Sequence, residues 1–128
     1  MTALRRALRA FAAVFAALGL VLLLAPNWAL ERFGQTPYPD AAFLRVGGAM
    51  SVGLAMFAAM VERRDDAWWW GWGFAVVTGL CATIATLHAA LDSPDGAALW
   101  WLLAVVNALL TVAIVVGLTR ASQEHPIA

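Results

Sequence analysis

Charged residues are scarce in this chain, lysine is absent, and there is a single cysteine. Only 12% of the 128 residues are charged and 63% are hydrophobic, whereas a soluble domain is typically about 25% charged and 45–50% apolar. Eight arginines balance eight acidic residues, so no basic field is present to attract nucleic acid. One cysteine permits neither an internal disulfide nor a cysteine-rich metal site. These absences exclude a soluble globule, a disulfide scaffold and a nucleic-acid-binding protein, and they favour an integral membrane protein.

Four long uncharged stretches organise the chain, over residues 10–30, 46–61, 67–91 and 96–119. A helix needs roughly 20 apolar residues to cross the hydrocarbon core of a bilayer. We therefore predict an all-α fold, a four-helix membrane bundle in one domain over residues 1–128. The expected spans are about residues 8–29, 41–61, 67–91 and 97–119. Prolines fall between or at the ends of these stretches, where helices are expected to stop.

The arginines predict an orientation with both termini in the cytoplasm. Six would then lie inside and two outside, as the positive-inside rule requires; the inner set is Arg5, Arg6, Arg9, Arg63, Arg64 and Arg120, and the outer set is Arg32 and Arg45. Tryptophans group at the two expected interfaces, where indole rings anchor helices. The positive N-terminus also resembles a signal peptide, but no small-x-small cleavage site follows it, so we predict an uncleaved first helix.

Small residues on each predicted helix favour close packing, because lipid provides no hydrophobic drive between helices. We expect the packing positions to include Gly47, Gly48, Ser51, Gly53, Gly79 and Asn107. Asn107 lies near the expected midplane, where an asparagine usually bonds to a neighbouring helix. Thr78, Thr111 and Ser51 are at comparable depth and are candidates to receive its bonds. Cys81 is interpreted as an inert residue of the packed core.

Polar residues near the expected outer interface are the candidate ligand-binding residues, namely Arg45, His88, Asp92, Trp100 and Trp101. Arg45 has three interpretations: an anion or headgroup anchor, a partner for an acidic group such as Asp92 or Asp40, or a snorkelling arginine that ends a span. His88 has Asp92 four residues later, which allows a pair that titrates near neutral pH. The alternative for His88 is an interfacial side chain bonded to water. Helical periodicity turns His88 away from the small-residue stripe that includes Gly79.

One stretch of the sequence resembles a known family. The first helix ends in Leu24-Ala25-Pro26, a short amphipathic loop follows, and Leu44-Arg45-Val46-Gly47-Gly48 precedes a glycine at position 53. This pattern resembles the DoxX-like set of small four-helix bacterial membrane proteins. The resemblance implies a structural role for Arg45, Gly47 and Gly48. Some members act as small subunits in quinone-linked sulfur oxidation.

The sequence contains no recognisable catalytic motif, phosphate loop or metal-ligand cluster. Our main expectation is a non-catalytic accessory or assembly subunit, or a self-associating bundle, in a bacterial inner membrane. Its partners would be the lipid bilayer, a membrane protein or further copies of itself. The alternative is a redox-linked or lipophilic-ligand protein with an outer-leaflet site. No cofactor or metal is predicted outright, and a quinone or lipid is the ligand that the alternative implies.

Overall fold

The computed structural model describes residues 1–35, 40–91 and 97–124. These residues form five α-helices and no strand: α1 (Thr2–Leu24), α2 (Pro26–Arg32), α3 (Ala42–Glu62), α4 (Ala67–Leu91) and α5 (Ala97–Glu124). The predicted all-helical fold is thus confirmed. The helices α1, α3, α4 and α5 are long and apolar enough to cross a membrane.

The short helix α2 is the main difference from the expected architecture. The first helix was expected to continue to about residue 29, but α1 ends at Leu24 and the backbone turns at Ala25, with φ −144° and ψ 60°. Pro26 explains the break, because proline has no N–H to donate and disfavours helical backbone in the residue before it. Pro26 then occupies the first position of α2, where its missing N–H costs nothing. Gly34, at φ +73°, follows the end of α2.

The long helices pack in an unequal way. Helix α1 lies along α3 on one side and against α5 on the other, and α4 lies along α5. Helices α3 and α4 share a much smaller contact, in which Phe57 of α3 meets Trp70 and Phe74 of α4 at ring distances of 6.2 and 5.6 Å. Since these residues are near the α3–α4 connection, the two helices contact each other mainly at that end.

The core is densest at the end that contains the start of α1 and the finish of α5. Leu4, Leu8 and Phe11 of α1 are fully buried there, as are Ile114 and Leu118 of α5. We call this region the closed end, and the opposite end, which contains α2, the cavity end.

Large apolar side chains are exposed along all four long helices, for example Leu20, Met56, Ile84 and Leu109. Such extensive apolar exposure is rare on soluble proteins. Together with the four apolar helices, it suggests a multi-pass membrane protein, in which these side chains would contact lipid.

Candidate functional site

A cavity of about 440 Å³ lies at the cavity end, and we call it the outer chamber. Helices α1, α2 and α5 provide most of its wall, whereas α3 and α4 each contribute one residue, Leu44 and His88. Its remaining lining residues are Ala17, Leu18, Val21, Leu22, Ala29, Leu30, Phe33, Gln35, Leu99, Trp100, Leu102 and Leu103. A mostly apolar cavity with a few polar groups is the usual form of a site for a small lipophilic ligand.

Helix α2 covers the outer chamber because α1 breaks at Pro26. Ala29 and Leu30 of α2 line the chamber, as do Phe33 and Gln35 just after it. Had α1 continued straight, these residues would have extended away from the bundle. The proline break therefore creates one wall of the cavity.

A second cavity, the inner chamber, lies beside the first and measures about 210 Å³. The two chambers share Leu18, Trp100 and Leu103. The other residues of the inner chamber are Phe15, Ser51, Cys81, Ile84, Ala85 and Asn107. The inner chamber thus reaches the middle of the long helices, at the level of Asn107.

The residues His88 and Trp100 form an aromatic pair in the wall of the outer chamber. Their ring centroids are 4.4 Å apart and the ring planes meet at 66°. This is an edge-to-face arrangement, which aromatic pairs prefer. Trp100 Nε1 is buried and has no hydrogen-bond partner within residues 1–35, 40–91 and 97–124. A buried indole N–H normally finds an acceptor, so this donor is unusual among the described residues.

Trp101 differs sharply from Trp100, although the sequence places them side by side. Trp101 is 46% exposed and lines neither chamber. Its exposed indole ring, near one end of α5, fits the expected interfacial position. The two tryptophans were predicted as one group, and the structure separates them into a cavity residue and a surface residue.

Asn107 is 95% buried, at 5% relative exposure. Its Nδ2 donates to the Leu103 carbonyl one turn earlier at 2.9 Å, and its Oδ1 has no partner in the part of the chain that the structure describes. The polar link between α4 and α5 is instead made by Thr111, whose hydroxyl donates to Thr78 Oγ1 at 2.8 Å. Asn107 therefore adds an unpaired acceptor beside the inner chamber.

Ser51 also borders the inner chamber. Its hydroxyl donates to the carbonyl of Gly47, four residues earlier on α3, at 2.9 Å. Its proton is therefore already used, and the oxygen retains acceptor capacity.

Arg45 lies at the cavity end but lines neither chamber. Its Nη1 donates to the carbonyl oxygen of Leu23, in the last turn of α1, at 3.1 Å. Carbonyls at the end of a helix lack partners within it, and a nearby positive charge also offsets the partial negative charge of that end. Arg45 thus connects α3 to the broken end of α1. Asp92, expected to act with His88, lies outside the described residues.

The expected packing glycines have different surroundings. A Cβ atom added to Gly48 would lie 2.6 Å from the carbonyl oxygen of Gly19 on α1, so the two backbones are in direct contact. A Cβ on Gly47 or Gly53 would meet nothing within 4 Å, and one on Gly79 would reach only the Thr111 methyl group at 3.9 Å. The closest approach of α1 and α3 therefore depends on Gly48 and Gly19.

The buried face of α4 is rotated from the expected stripe. Its buried residues include Phe74, Thr78, Ala85 and Ala89, and His88 is half-buried beside them. Small residues still form most of this face, as expected, but most of them lie at other positions than the predicted ones, and Phe74 packs among them. His88 therefore turns toward α5 and Trp100.

The alternative hypothesis expected a pocket lined by Arg45, His88, Trp100 and Trp101, and the structure places only His88 and Trp100 in the wall of the outer chamber. Sequence reasoning did not identify the inner chamber or the part of α2 in the cavity. One signal for Trp100 was present: it lies four residues before Ala104 and seven before Asn107, so it shares their helix face. The covering role of α2 was signalled only by the Ala25-Pro26 break. No comparable signal pointed to Cys81 as a cavity residue.

Three comparisons with known proteins add no relationship to this picture. The chain matches no protein-family model, no curated protein sequence and no solved structure.

Proposed function

We propose that this chain is a multi-pass protein of a bacterial inner membrane that binds a lipophilic molecule, a lipid or a quinone, in the outer chamber. The observation that carries the proposal is the apolar cavity of about 440 Å³, in whose wall a buried indole N–H lacks an acceptor. Leaving such a donor unpaired costs about 1–3 kcal/mol. A bound ligand with a carbonyl, ester or hydroxyl oxygen would provide the missing acceptor.

Access from the bilayer supports a lipophilic ligand. Val21 of α1 and Leu102 of α5 line the outer chamber and are 37% and 47% exposed. The chamber therefore has a rim between α1 and α5, on a surface where apolar side chains are exposed. A ligand dissolved in lipid would enter there without crossing water.

The proposed orientation places the closed end in the cytoplasm. That end brings together the start of α1, the α3–α4 connection and the finish of α5. The N-terminus pairs with Glu124, Arg9 with Glu62, and Arg5 Nη2 donates to the Arg64 carbonyl at 3.4 Å. Six of the eight arginines are in these segments. Their clustering supports this orientation through the positive-inside rule, and in it the chambers would face the outer leaflet.

Native mass spectrometry of the protein in lipid nanodiscs tests ligand binding. The variant Leu103→Trp fills the boundary of both chambers, whereas Leu109→Trp adds the same ring at a position on α5 that is 65% exposed. We expect a bound lipid or quinone on the wild type and on Leu109→Trp, and its loss from Leu103→Trp. Equal occupancy in all three proteins would contradict the proposal.

A second candidate function is that of an accessory subunit in a membrane complex. The observation that favours it is room for another helix on the surface of α3, where a Cβ on the exposed Gly53 would meet nothing within 4 Å. Helices in lipid associate through such small residues. Gly53→Leu should then reduce the mass of a complex isolated from native membranes without changing the melting temperature of the purified chain. An unchanged complex would remove this candidate.

A relationship to DoxX-like proteins belongs to the same proposal. The residues that carry the resemblance meet at one corner of the molecule: Pro26 ends α1, Arg45 binds its last turn, and Gly48 contacts its backbone. Their contacts give the sequence pattern a physical reason. Bacterial membrane homologues with the same three features would support the relationship.

A further inference from the structure

We propose that the inner chamber is the polar subsite of the cavity and accepts a ligand hydroxyl group, carried on an apolar chain, beside Asn107. This inference rests on the proposed ligand-binding function and adds the chemical class of the ligand. It follows from which hydrogen-bonding capacities remain unused around the chamber.

The unused capacity at Asn107 is that of an acceptor. Asn107 Nδ2 donates to the carbonyl of Leu103, and Oδ1 has no partner. The opposite assignment of the amide would place Oδ1 2.9 Å from that carbonyl oxygen, with two acceptors facing each other. The amide orientation is therefore determined by its neighbour. A group that pairs with Oδ1 must be a donor.

Ser51, the other polar oxygen in the chamber wall, has the same preference. Its proton is already donated to the Gly47 carbonyl, which leaves lone pairs on Oγ. Ser51 and Asn107 belong to different helices, α3 and α5, and border the same cavity. A ligand carbonyl or ether, which has only acceptor capacity, gains no bond from either oxygen.

The apolar remainder of the chamber favours a hydroxyl on a chain over water. Phe15, Ile84 and Ala85 line the same volume of about 210 Å³. A buried water typically makes about three hydrogen bonds, which Asn107 Oδ1, Ser51 Oγ and Trp100 Nε1 would provide. A single water bonded there would leave most of this volume empty. An alcohol satisfies Oδ1 with its hydroxyl and fills the rest of the space with carbon atoms.

The outer chamber provides space for the remainder of such a ligand. Leu18, Trp100 and Leu103 border both chambers, so the hydroxyl and its chain occupy adjacent volumes. A chain that enters at the rim between α1 and α5 would reach Asn107 when these three side chains, which form the boundary of the chambers, move aside. The ligand class is accordingly an apolar molecule with a terminal hydroxyl group.

Cys81 provides the measurement, because it is the only cysteine of the chain and it lines the inner chamber. The protein is reconstituted in nanodiscs, and the rate of alkylation of Cys81 by N-ethylmaleimide is followed by mass spectrometry. The two probes are dodecanol and its isomer methyl undecyl ether, compared at equal mole fraction in the bilayer. We expect dodecanol to protect Cys81 at about tenfold lower concentration than the ether, because one additional hydrogen bond in an apolar site raises the affinity by about that factor.

Two variants make the result specific. Asn107→Leu keeps a similar volume but removes the acceptor, so the preference for dodecanol should fall to about one. Thr111→Val removes a hydroxyl from the same helix, but Thr111 borders neither chamber. The preference for dodecanol should therefore be retained in this variant. The melting temperature and the alkylation rate without probe establish that each variant is folded.

The outcomes separate this inference from the proposed function. Equal protection by the two probes, or a preference that survives Asn107→Leu, would overturn the hydroxyl subsite. Probe binding to the protein without protection of Cys81 would overturn the subsite but leave the outer chamber as a ligand site. The absence of any binding of either probe, together with an empty wild type in native mass spectrometry, would overturn both.

Discussion

The two ends of this molecule are built from the same four long helices but are stabilised differently. At the closed end, Leu4, Leu8, Phe11, Ile114 and Leu118 are almost or fully excluded from the surface. At the cavity end, the same helices leave chambers of about 440 and 210 Å³. A dense core stabilises the first end, and the second holds the features that a ligand site requires.

Side-chain size accounts for much of this difference. Both ends bury small residues: at the closed end a Cβ added to Gly117 would lie 2.6 Å from the Leu4 Cα. The closed end adds leucine, isoleucine and phenylalanine between the helices, whereas the inward positions of the cavity end include Gly19, Gly48, Ala85 and Ala104. Two glycines allow α1 and α3 to touch through their backbones, and this contact leaves little side-chain volume to fill the space beside it. The comparison teaches that close helix contact and an unfilled cavity can arise from the same small residues.

The largest effect should come from Gly48→Leu. Its Cβ would lie 2.6 Å from the Gly19 oxygen and 2.8 Å from the Leu23 nitrogen, and backbone atoms cannot move aside as a flexible side chain does. We expect a loss of stability above about 4 kcal/mol, enough to prevent accumulation of folded protein.

Gly47→Leu is the matched control for that variant. The same side chain one residue earlier would find no atom within 4 Å of its Cβ, so the melting temperature and the yield of folded protein should stay close to those of the wild type. Equal damage from the two substitutions would contradict the backbone contact between α1 and α3.

A smaller loss of stability should distinguish two leucines of α5, Leu118 at the closed end and Leu103 at the chambers. Leu118→Ala removes a side chain with 0% exposure at the closed end and should cost about 2–3 kcal/mol, because the surrounding atoms lose their packing contacts. Leu103→Ala enlarges existing chambers and should cost about 1 kcal/mol or less. Reversible unfolding in mixed micelles measures both values. A larger cost for Leu103→Ala would contradict the contrast between the two ends.

The helices and their apolar character were predictable from the sequence because they depend on local features. Uncharged stretches and proline positions indicated α3, α4 and α5 closely. The break after Leu24 was harder to predict, since proline is tolerated in some membrane helices when neighbouring groups satisfy the freed backbone. Here, Arg45 on another helix binds the Leu23 carbonyl, and that contact is tertiary.

The candidate site was predictable only in part, for a related reason. His88 and Trp100 were predicted as candidate ligand-binding residues because they are polar or aromatic and near an expected interface. Their contact, however, depends on the rotation of α4 against α5. Small residues occur on several faces of α4, and the buried face combines Phe74 with Ala85 and Ala89, so their spacing in the sequence did not indicate the rotation. A cavity is also a property of several helices together, so no single stretch of sequence indicates it.

Arg45→Gln should produce an intermediate effect concentrated at the cavity end. The variant removes the donor to the Leu23 carbonyl, with an expected cost of about 1 kcal/mol. Hydrogen exchange should accelerate in the last turn of α1 and in α2, while the closed end remains protected. The control is Arg32→Gln, which removes a charge from the same end but leaves that bond intact. Uniform acceleration over the chain, or none, would contradict a local role for Arg45.

The smallest effect concerns Asp66, which lies outside the long helices and next to the start of α4. A side-chain hydrogen bond from Arg64 is the largest cause that lowers the pKa of this carboxyl to about 2, with a further bond from the Trp70 indole. Because the folded-state pKa lies below the usual value of about 3.9, the stabilisation is complete above that value and is lost as the pH falls through about 2.

The contribution of Asp66 to the melting temperature should therefore stay constant between about pH 8 and pH 5, which lie above an ordinary carboxyl pKa of about 3.9. The variant Asp66→Asn should lower the melting temperature slightly at neutral pH, since the pair is exposed and screened by solvent, and the difference from wild type should shrink under acid conditions. Asp65→Asn is the control, because it changes the same charge one residue earlier. A difference that grows as the pH falls would contradict the assigned bond from Arg64.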